Sequence, residues 1–339
     1  MKEAFLYRKL ENQSVHCYLC AHNCRIAEGR FGFCGVRQNV KGVLYTHVYA
    51  KASAVNIDPV EKKPLYHFFP GTKTFSIATV GCNFRCGFCQ NWEISQRSFR
   101  DAAKDEIDAP GKLFLPPDVI KEAQGTGCGS ISYTYTEPTI FFEYAFDCAK
   151  IAKEKGLANI FVTNGYMTKE ALLAVKPYLN AANVDLKSFR DSFYRKICSG
   201  SLEPVLSSIR FMKELGVWVE ITTLIIPGEN DSREELTDIA GFIASLDKNI
   251  PWHISRFHPD YQYTGHAVTP EPALRRAYDI AVKCGLRYVY VGNVYEWGND
   301  TYCPQCKKAV IKRRGFSVLE NSIKRGKCLW CNTDIAGIF

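Results

Sequence analysis

The sequence lacks a long apolar run. No uninterrupted apolar stretch approaches the roughly 18 residues that a membrane-spanning helix needs, so we expect neither a membrane span nor a membrane partner. Residues 1–16 contain no apolar core of the length found in signal peptides, and we therefore expect a cytoplasmic protein. The sequence also has no internal repeat at the periods typical of solenoids and no low-complexity tract, which excludes a repeat architecture.

Cysteine, in contrast, is abundant, with 15 among 339 residues. A secreted disulfide scaffold would be much shorter, so this usage favours metal ligation in a reducing, low-oxygen interior. The apolar content of 46% is enough for a sizeable core, and the length suggests one main domain with attachments. We expect a cysteine-rich metal module with lead-in strands over residues 1–72, a main domain over 73–295 and a second metal module over 296–339.

The central cysteine group follows a short apolar run, residues 74–80, that is typical of a buried strand. Its members, Cys82, Cys86 and Cys89, have the spacing C-x3-C-x2-C. Three cysteines on a tight loop cannot complete a tetrahedral four-thiolate zinc site, but they can hold three irons of a [4Fe–4S] cluster and leave the fourth open. The spacing therefore predicts a catalytic cluster. The alternatives are cysteines without a metal and a zinc site completed from elsewhere.

The N-terminal cysteine group contains enough ligands to close a metal shell by itself. It consists of Cys17, Cys20, Cys24 and Cys34. Four thiolates so close in sequence suit a tetrahedral zinc ion, which is our first interpretation. A second iron–sulfur cluster is the alternative, because a four-cysteine set also suits iron.

The C-terminal cysteine group has the spacing of a zinc ribbon. It consists of two C-x2-C pairs, Cys303 with Cys306 and Cys328 with Cys331, separated by residues 307–327. Residues 310–318 between the pairs predict a hairpin. A tail this short cannot bury a large core, so a bound zinc ion would supply its folding free energy, on the order of 10 kcal/mol. A rubredoxin-like iron site is the alternative.

Positive charge is concentrated at the two ends of the chain. The formal net charge is +8, and the excess of Lys and Arg lies in residues 1–72 and 301–339. Basic surfaces attract RNA or acidic proteins, so an RNA-binding zinc or iron–sulfur protein is one alternative function. A non-catalytic iron–sulfur electron carrier is another, and it would need a cluster ligated entirely by protein.

Strand-like and helix-like runs alternate between residues 75 and 292, which predicts an α/β fold with a parallel sheet. The predicted strands are 75–80, 130–135, 158–163, 182–187, 218–226, 252–257 and 288–292, and the predicted helices are 139–155, 202–215, 233–246 and 272–284. These units are too few for an eightfold barrel. Ligands bind at the carboxyl ends of strands in such folds, so motifs there are candidate site residues.

Three further segments have patterns of their own. Residues 43–57 alternate apolar and polar side chains, which predicts one half-buried strand. Residues 58–71 contain three prolines together with lysines and aromatics, which predicts a loop before the cluster strand and a candidate cover for the site. Residues 101–117 are polar and contain prolines, which predicts a linker.

The stretch Cys82-Asn83-Phe84-Arg85-Cys86-Gly87-Phe88-Cys89 resembles the cluster-binding signature of radical SAM enzymes, and Gln90-Asn91-Trp92-Glu93 resembles the branch that contains the pyruvate formate-lyase activating enzyme. Within it the whole chain is most similar to the radical SAM component of the AmmeMemoRadiSam system. The resemblance implies an open partial (β/α)6 barrel over 73–295. It also implies an open iron that binds S-adenosylmethionine (SAM), and an oxidoreductase that makes a 5'-deoxyadenosyl radical for hydrogen abstraction.

The resemblance implies two partners, and the sequence differs from the family pattern at one position. The reductant would be a ferredoxin or a flavodoxin, and the substrate would be a protein glycine, an RNA base or a small molecule. Val162 stands where the activating-enzyme branch has an Asp, so one polar contact of that branch is missing here.

The resemblance further assigns strand-end residues to SAM. Thr136 and Glu137 would lie near the SAM amino group, and a helix N-cap is the alternative role for both. Lys187 would pair with the SAM carboxylate, and Asp185 would accept hydrogen bonds nearby. The remaining implied contacts are Asn164 with the ribose, Thr222 on the fifth strand, His258 with adenosine and Phe88 beside adenine.

Overall fold

An eight-stranded sheet lies at the centre of the molecule. A computed structural model describes residues 1–99, 109–294 and 297–339. The strands of the sheet, in chain order, are β1 (Ala54–Pro59), β2 (Lys73–Ala78), β3 (Ser130–Tyr133), β4 (Ala158–Thr163), β5 (Ala181–Asp185), β6 (Trp218–Ile225), β7 (Trp252–Arg256) and β8 (Val289–Gly292). Their order in the sheet is their order in the chain. β2 to β8 run parallel, whereas β1 pairs antiparallel with β2. The predicted α/β fold with a parallel sheet is confirmed.

Helices connect the parallel strands, as the 3.6-residue periodicity of the sequence predicts. The α-helices are Trp92–Ser95, Pro116–Gly125, Phe142–Glu154, Lys169–Val175, Asp191–Phe193, Leu202–Glu214, Arg233–Leu246 and Glu271–Lys283, with single 3-10 turns at Val60–Lys62 and Pro138–Phe141 and a π-turn at Tyr194–Cys198. Gly216 follows one of these helices with a φ of +75°, the left-handed conformation that a helix C-terminus favours. The four predicted helices are confirmed within three residues at each end.

The strands end earlier than their apolar runs suggest. β2 ends at Ala78 rather than at residue 80, and β5 ends at Asp185 rather than at 187. Beyond these points the backbone leaves the ladder, as when the Leu186 amide donates to the Val184 carbonyl 3.1 Å away. The polar residues after each strand therefore lie on loops at the carboxyl edge of the sheet.

The N-terminal residues form two small antiparallel sheets beside the central one. Their strands are Lys2–Glu3, Val43–Thr46 and Arg37–Val40 in one sheet, and Tyr7–Lys9, Val15–Cys17 and Arg25–Ile26 in the other. A buried ion pair between Arg37 and Glu143 joins them to the helix Phe142–Glu154. The amide of Phe5 donates to the same carboxylate over 2.6 Å.

Two sequence-based predictions need correction or limitation here. The predicted single strand over 43–57 is wrong, because the chain turns at Ala50, whose φ is +57°. It continues as the short strand Lys51–Ala52 and then as β1. Of the predicted linker, residues 101–108 lie outside the described residues, Lys112–Leu113 pairs with Lys51–Ala52, and a helix begins at Pro116.

The C-terminal residues form a three-stranded antiparallel sheet, Thr301–Tyr302, Ala309–Arg314 and Ser317–Asn321, and the pair Ile323–Lys324 with Lys327–Cys328. The predicted hairpin is confirmed. The buried side chain of Arg313 donates to the Tyr66 carbonyl over 2.7 Å and lies 3.4 Å from the Glu61 carboxylate. The tail is thus attached to the loop between β1 and β2. Across the described ranges, no helix is long and apolar enough to cross a membrane.

Candidate active site

The cysteine loop Cys82–Cys89 follows β2 at the carboxyl edge of the sheet. Gly81 turns the chain off the strand with a φ of +97°, and a Cβ atom there would lie 2.6 Å from Cγ1 of Val36. Only glycine fits this position without a shift of its neighbours. The Arg85 amide then donates to the Cys198 carbonyl over 2.8 Å, which fixes the loop against the π-turn.

The three cysteines of this loop, Cys82, Cys86 and Cys89, line one cavity of about 510 Å³. Small-molecule sites usually have volumes of about 300–1,000 Å³. The other predicted site residues that line the same cavity are Phe88, Thr136, Glu137, Asn164, Asp185, Lys187 and Thr222. The folded chain thus brings together residues that lie on five strands or on the loops that follow them. Val162, where the activating-enzyme branch has an Asp, also lines the cavity.

His258 is the one predicted site residue outside the lining of this cavity. Its side chain is exposed. Its Nε2 lies 2.9 Å from Nε2 of Gln90, which does line the cavity. His258 therefore lies at the rim, behind Gln90, and its contact with adenosine stays a prediction.

A cation and a carboxylate face each other on the loop after β5. Lys187 Nζ lies 2.9 Å from Oδ2 of Asp185 and 5.7 Å from the centre of the Phe88 ring. Burial lowers the pKa of Lys187, but the Asp185 carboxylate, together with Cys86 and Cys198, more than offsets this, and the net pKa lies well above the usual value. Lys187 is therefore an ammonium ion at neutral pH.

Glu137 is a buried carboxylate that also caps the turn Pro138–Phe141. Its Oε1 accepts from the Thr139 amide over 3.0 Å and from the Thr163 hydroxyl over 2.7 Å. Its Oε2 accepts a hydrogen bond from the backbone N–H of Asn164 over 2.8 Å. Burial raises the pKa of Glu137, and these hydrogen bonds oppose the increase. The N-cap role of Glu137 is confirmed, and its position on the cavity wall is compatible with the predicted one.

The polar groups of three other predicted residues form hydrogen bonds within the protein. The Thr136 hydroxyl donates to the Thr79 carbonyl over 2.8 Å, and the Thr222 hydroxyl donates to Oδ1 of Asn183 over 2.9 Å. The side-chain nitrogen of Asn164, Nδ2, lies 2.7 Å from Oδ1 of Asn83 and 3.9 Å from the Cys82 sulfur. Asn164 thus faces the cysteine loop, and its predicted contact with a ribose stays untested.

The structure adds two lysines that the sequence prediction did not name. Lys62 and Lys63, from the proline-rich loop 58–71, line the cavity. Lys63 Nζ lies 2.7 Å from Oδ2 of Asp58 and 4.3 Å from the centre of the Tyr135 ring. Burial lowers the pKa of Lys63 to about 8, although the Asp58 carboxylate opposes this decrease. The Lys-Lys pair in a loop just before the cluster strand was the only sequence signal for these residues.

The two terminal cysteine groups differ in geometry. The sulfur atoms of Cys303, Cys306, Cys328 and Cys331 all lie within 4.8 Å of one another. The N-terminal group, Cys17, Cys20, Cys24 and Cys34, lines a separate small cavity beside the active site. Both sets are brought together by the fold, as their spacing predicts.

Comparison with known proteins identifies the family of the chain. The sequence model of the Radical SAM superfamily matches residues 76–240. A protein of Methanocaldococcus jannaschii without a functional name is 44% identical over 99% of both chains. The pyruvate formate-lyase-activating enzyme of Streptococcus mutans is 24% identical over 56% of this chain and 72% of its own. The solved structure of Streptococcus suis SuiB with S-adenosylmethionine has a TM-score of 0.51, with 14% identity over 69% of this chain and 53% of its own. The chain belongs to the radical SAM superfamily and is an enzyme.

Proposed function

We propose that this enzyme reductively cleaves SAM at a [4Fe–4S] cluster held by Cys82, Cys86 and Cys89. The observation that carries the proposal is the donor set of one cavity, in which three thiols lie with a buried carboxylate and an ammonium ion. When bound, the cluster supplies one electron to the SAM sulfonium, which gives methionine and a 5'-deoxyadenosyl radical for hydrogen abstraction. The cavity volume also suits a ligand of this size.

The two charged groups match the amino acid end of SAM. Each carboxylate oxygen has about two lone-pair sites, and Oε2 of Glu137 accepts only one hydrogen bond among the described residues. One site therefore remains for the SAM ammonium group. Lys187 then holds the SAM carboxylate, exchanging part of its contact with Asp185. Phe88, which forms a buried wall of the cavity, flanks the adenine.

The substrate class that we propose is a glycine in a partner protein, because one relative has the name of a glycyl-radical enzyme activating enzyme, and an RNA base or a small molecule is the alternative. The electron comes from a ferredoxin or a flavodoxin in the cytoplasm. The direct test is to incubate anaerobically reconstituted enzyme with SAM and dithionite. We expect 5'-deoxyadenosine and methionine in equal amounts, and their absence from fully loaded enzyme would overturn the proposal.

The C-terminal cysteine group is proposed to hold zinc. A tetrahedral site with zinc–sulfur bonds of about 2.3 Å places its sulfur atoms about 3.8 Å apart, in keeping with a set confined within 4.8 Å. This ion closes the tail that Arg313 attaches to the loop before β2. The ribbon thereby supports the loop that carries Lys62 and Lys63.

The change Cys306→Ala should therefore remove about one zinc ion per chain, because three thiolates no longer close the shell. We also expect the first thermal unfolding transition to occur at a lower temperature, since the metal supplies folding free energy to this short segment. Metal analysis and calorimetry measure both effects. Cys284→Ala is the matched control, because Cys284 is half-buried and lies outside the three cysteine groups. Iron lost in place of zinc would favour the rubredoxin-like alternative.

A further inference from the structure

The N-terminal cavity is larger than a lone zinc ion requires. It has a volume of about 20 Å³, and its walls include Cys17, Cys20, Cys24 and Cys34. A water-sized sphere needs roughly 10–15 Å³ of such space. A zinc ion lies about 2.3 Å from each of its four sulfurs, which leaves no room for a water-sized sphere between them. The cavity that these thiols line thus has more space than a zinc ion bound to all four of them would leave.

The spacing of the sulfur atoms separates the two terminal sites. Among the described residues, the sulfur atoms of Cys303, Cys306, Cys328 and Cys331 all lie within 4.8 Å of one another. The sulfur atoms of the N-terminal group do not lie so close together. A cubane binds each thiolate through a different iron, so its thiolates lie further apart than four thiolates on one ion. The three cysteines of the active site share this wider arrangement around a common cavity. The N-terminal group therefore resembles the active-site group more than the zinc ribbon.

Among the described residues, a buried arginine beside the N-terminal cysteines has one N–H donor without an acceptor. Arg37 lines the cavity and is 1% exposed, and its Nη1 lies 3.7 Å from the Cys17 sulfur. Its Nε–H has no acceptor in the part of the chain that the structure describes. The thiolates of either metal group accept hydrogen bonds, and the inorganic sulfides of a cubane would add further acceptors at this site.

We propose that Cys17, Cys20, Cys24 and Cys34 hold a second [4Fe–4S] cluster, ligated entirely by protein, that passes electrons to the cluster at Cys82, Cys86 and Cys89. This inference rests on the proposed function for its electron acceptor. One electron enters from a reduced ferredoxin or flavodoxin, and one electron leaves to the active site. The second cluster thus returns to its starting oxidation state after each transfer.

Direct contacts connect the two cysteine groups. A ring nitrogen of His22, which lies between Cys20 and Cys24 in sequence, is 2.7 Å from the Asn83 carbonyl. Arg85 donates to the Phe33 carbonyl and to the Cys82 carbonyl, each over 2.7 Å. Phe33 precedes Cys34, so this guanidinium joins the backbones of both groups.

The approach of the two backbones is close at a second point. A Cβ atom on Gly81, the residue before Cys82, would lie 3.5 Å from the carbonyl oxygen of Cys34. The turn Pro138–Phe141 separates the two cavities, since Glu137 before it lines the active site and Thr139 and Ile140 line the N-terminal cavity. Both cavities therefore border the same short turn, which favours electron transfer between them.

The first test is the metal content of the full-length protein, purified and reconstituted without air. We expect about eight irons and eight sulfides per chain, in two cubanes resolved by Mössbauer spectroscopy, beside one zinc. The unmodified chain decides this point even if variants fail to fold. About four irons with two zinc ions per chain would overturn the inference.

The second test uses the double variant Cys20→Ala/Cys24→Ala, with Cys128→Ala/Cys148→Ala as the matched control of two buried cysteines outside the groups. The variant should keep about four irons. Its remaining cluster should still change its electron paramagnetic resonance signal when SAM is added. Its reduction by reduced flavodoxin should slow at least about tenfold, while dithionite still reduces it. An unchanged flavodoxin rate would overturn the relay.

The two proposals fail in distinguishable ways. Loss of the SAM-dependent signal from the unmodified chain, with eight irons present, would contradict the proposed function and leave the second cluster standing. Retention of that signal with only four irons would contradict the second cluster and leave the proposed function standing.

Discussion

Replacing Cys86 with alanine should abolish the 5'-deoxyadenosine formation that we propose for the reconstituted enzyme. Cys86 is one of three thiols on the cavity wall, and two thiolates do not hold a cubane in a defined position. We expect the rate to fall at least about 1,000-fold, equivalent to about 4 kcal/mol in the activation free energy. Product formation from SAM and dithionite, measured by chromatography under anaerobic conditions, gives this rate.

Cys198→Ala is the matched control for this substitution. Cys198 is also fully buried and interacts with the Cys86 thiol, but it does not line the cavity. The Cys198 variant should keep both product formation and the spectroscopic response to SAM. If it lost both, Cys198 would be a fourth ligand and the open iron would not exist. Unimpaired product formation by the Cys86 variant would contradict the site itself.

The cysteine groups were predictable because metal ligands recur at short, fixed spacings. The thiols of Cys82, Cys86 and Cys89 lie on one loop, so their local sequence already determines that they can share a cavity. The alternation of strand-like and helix-like runs was sufficient for the parallel sheet for a similar reason. Each βα unit buries its own apolar face in sequence order, and the observed strand order is sequential.

Other features depend on contacts between residues far apart in sequence. Residues 43–57 have a continuous alternation, but the turn at Ala50 lets β1 pair with β2 instead. Lys63 reaches the cavity because Asp58 and Tyr135 hold it there, and Tyr135 comes from the loop after β3. The sequence predicted that the loop 58–71 could cover the site, but local patterns carry no information on such pairings, so they did not single out Lys62 and Lys63.

The roles of individual site residues were the least predictable part of the site. Glu137 was expected either at the SAM amino group or at a helix N-cap, and the structure shows the cap on a residue that also lines the cavity. Asn164 was expected to contact a ribose, but its side-chain amide donates a hydrogen bond to Asn83 of the cysteine loop. A motif identifies the position of such a residue, but its partner depends on the neighbouring loops.

The arrangement suggests how the attached segments support the central site. The ribbon is joined through Arg313 to the loop that carries Lys62 and Lys63, and the N-terminal sheets contact the cysteine loop through His22 and Arg85. The loop 60–72 precedes β2 and packs against Ala158 and Ala181, the first residues of β4 and β5, so the ribbon lies at the amino edge of the parallel strands. The N-terminal group lies at the carboxyl edge, beside the cysteine loop that follows β2. The two ends therefore support the site from opposite edges of the sheet.

Replacing Lys187 with methionine should weaken SAM binding more than it weakens the fold. A hydrogen bond to a charged group contributes about 1.5–3 kcal/mol, so we expect the Kd for SAM to rise about 10- to 150-fold. Asp185 is partly exposed, and the loss of its partner therefore costs little stability. Equilibrium binding of SAM to the loaded enzyme and the thermal midpoint measure the two effects separately.

The variant Asp185→Asn distinguishes the two roles that the ion pair allows. If Lys187 binds the SAM carboxylate, removing the Asp185 charge frees the ammonium group, and SAM should bind as tightly as before or more tightly. If Lys187 only holds Asp185 in place, both substitutions break the same contact and should weaken SAM binding alike. Equal losses in the two variants would therefore contradict the assignment of Lys187 to SAM. A selective loss in the Lys187 variant, with iron content unchanged, supports it, because the cysteines that hold the cluster are untouched.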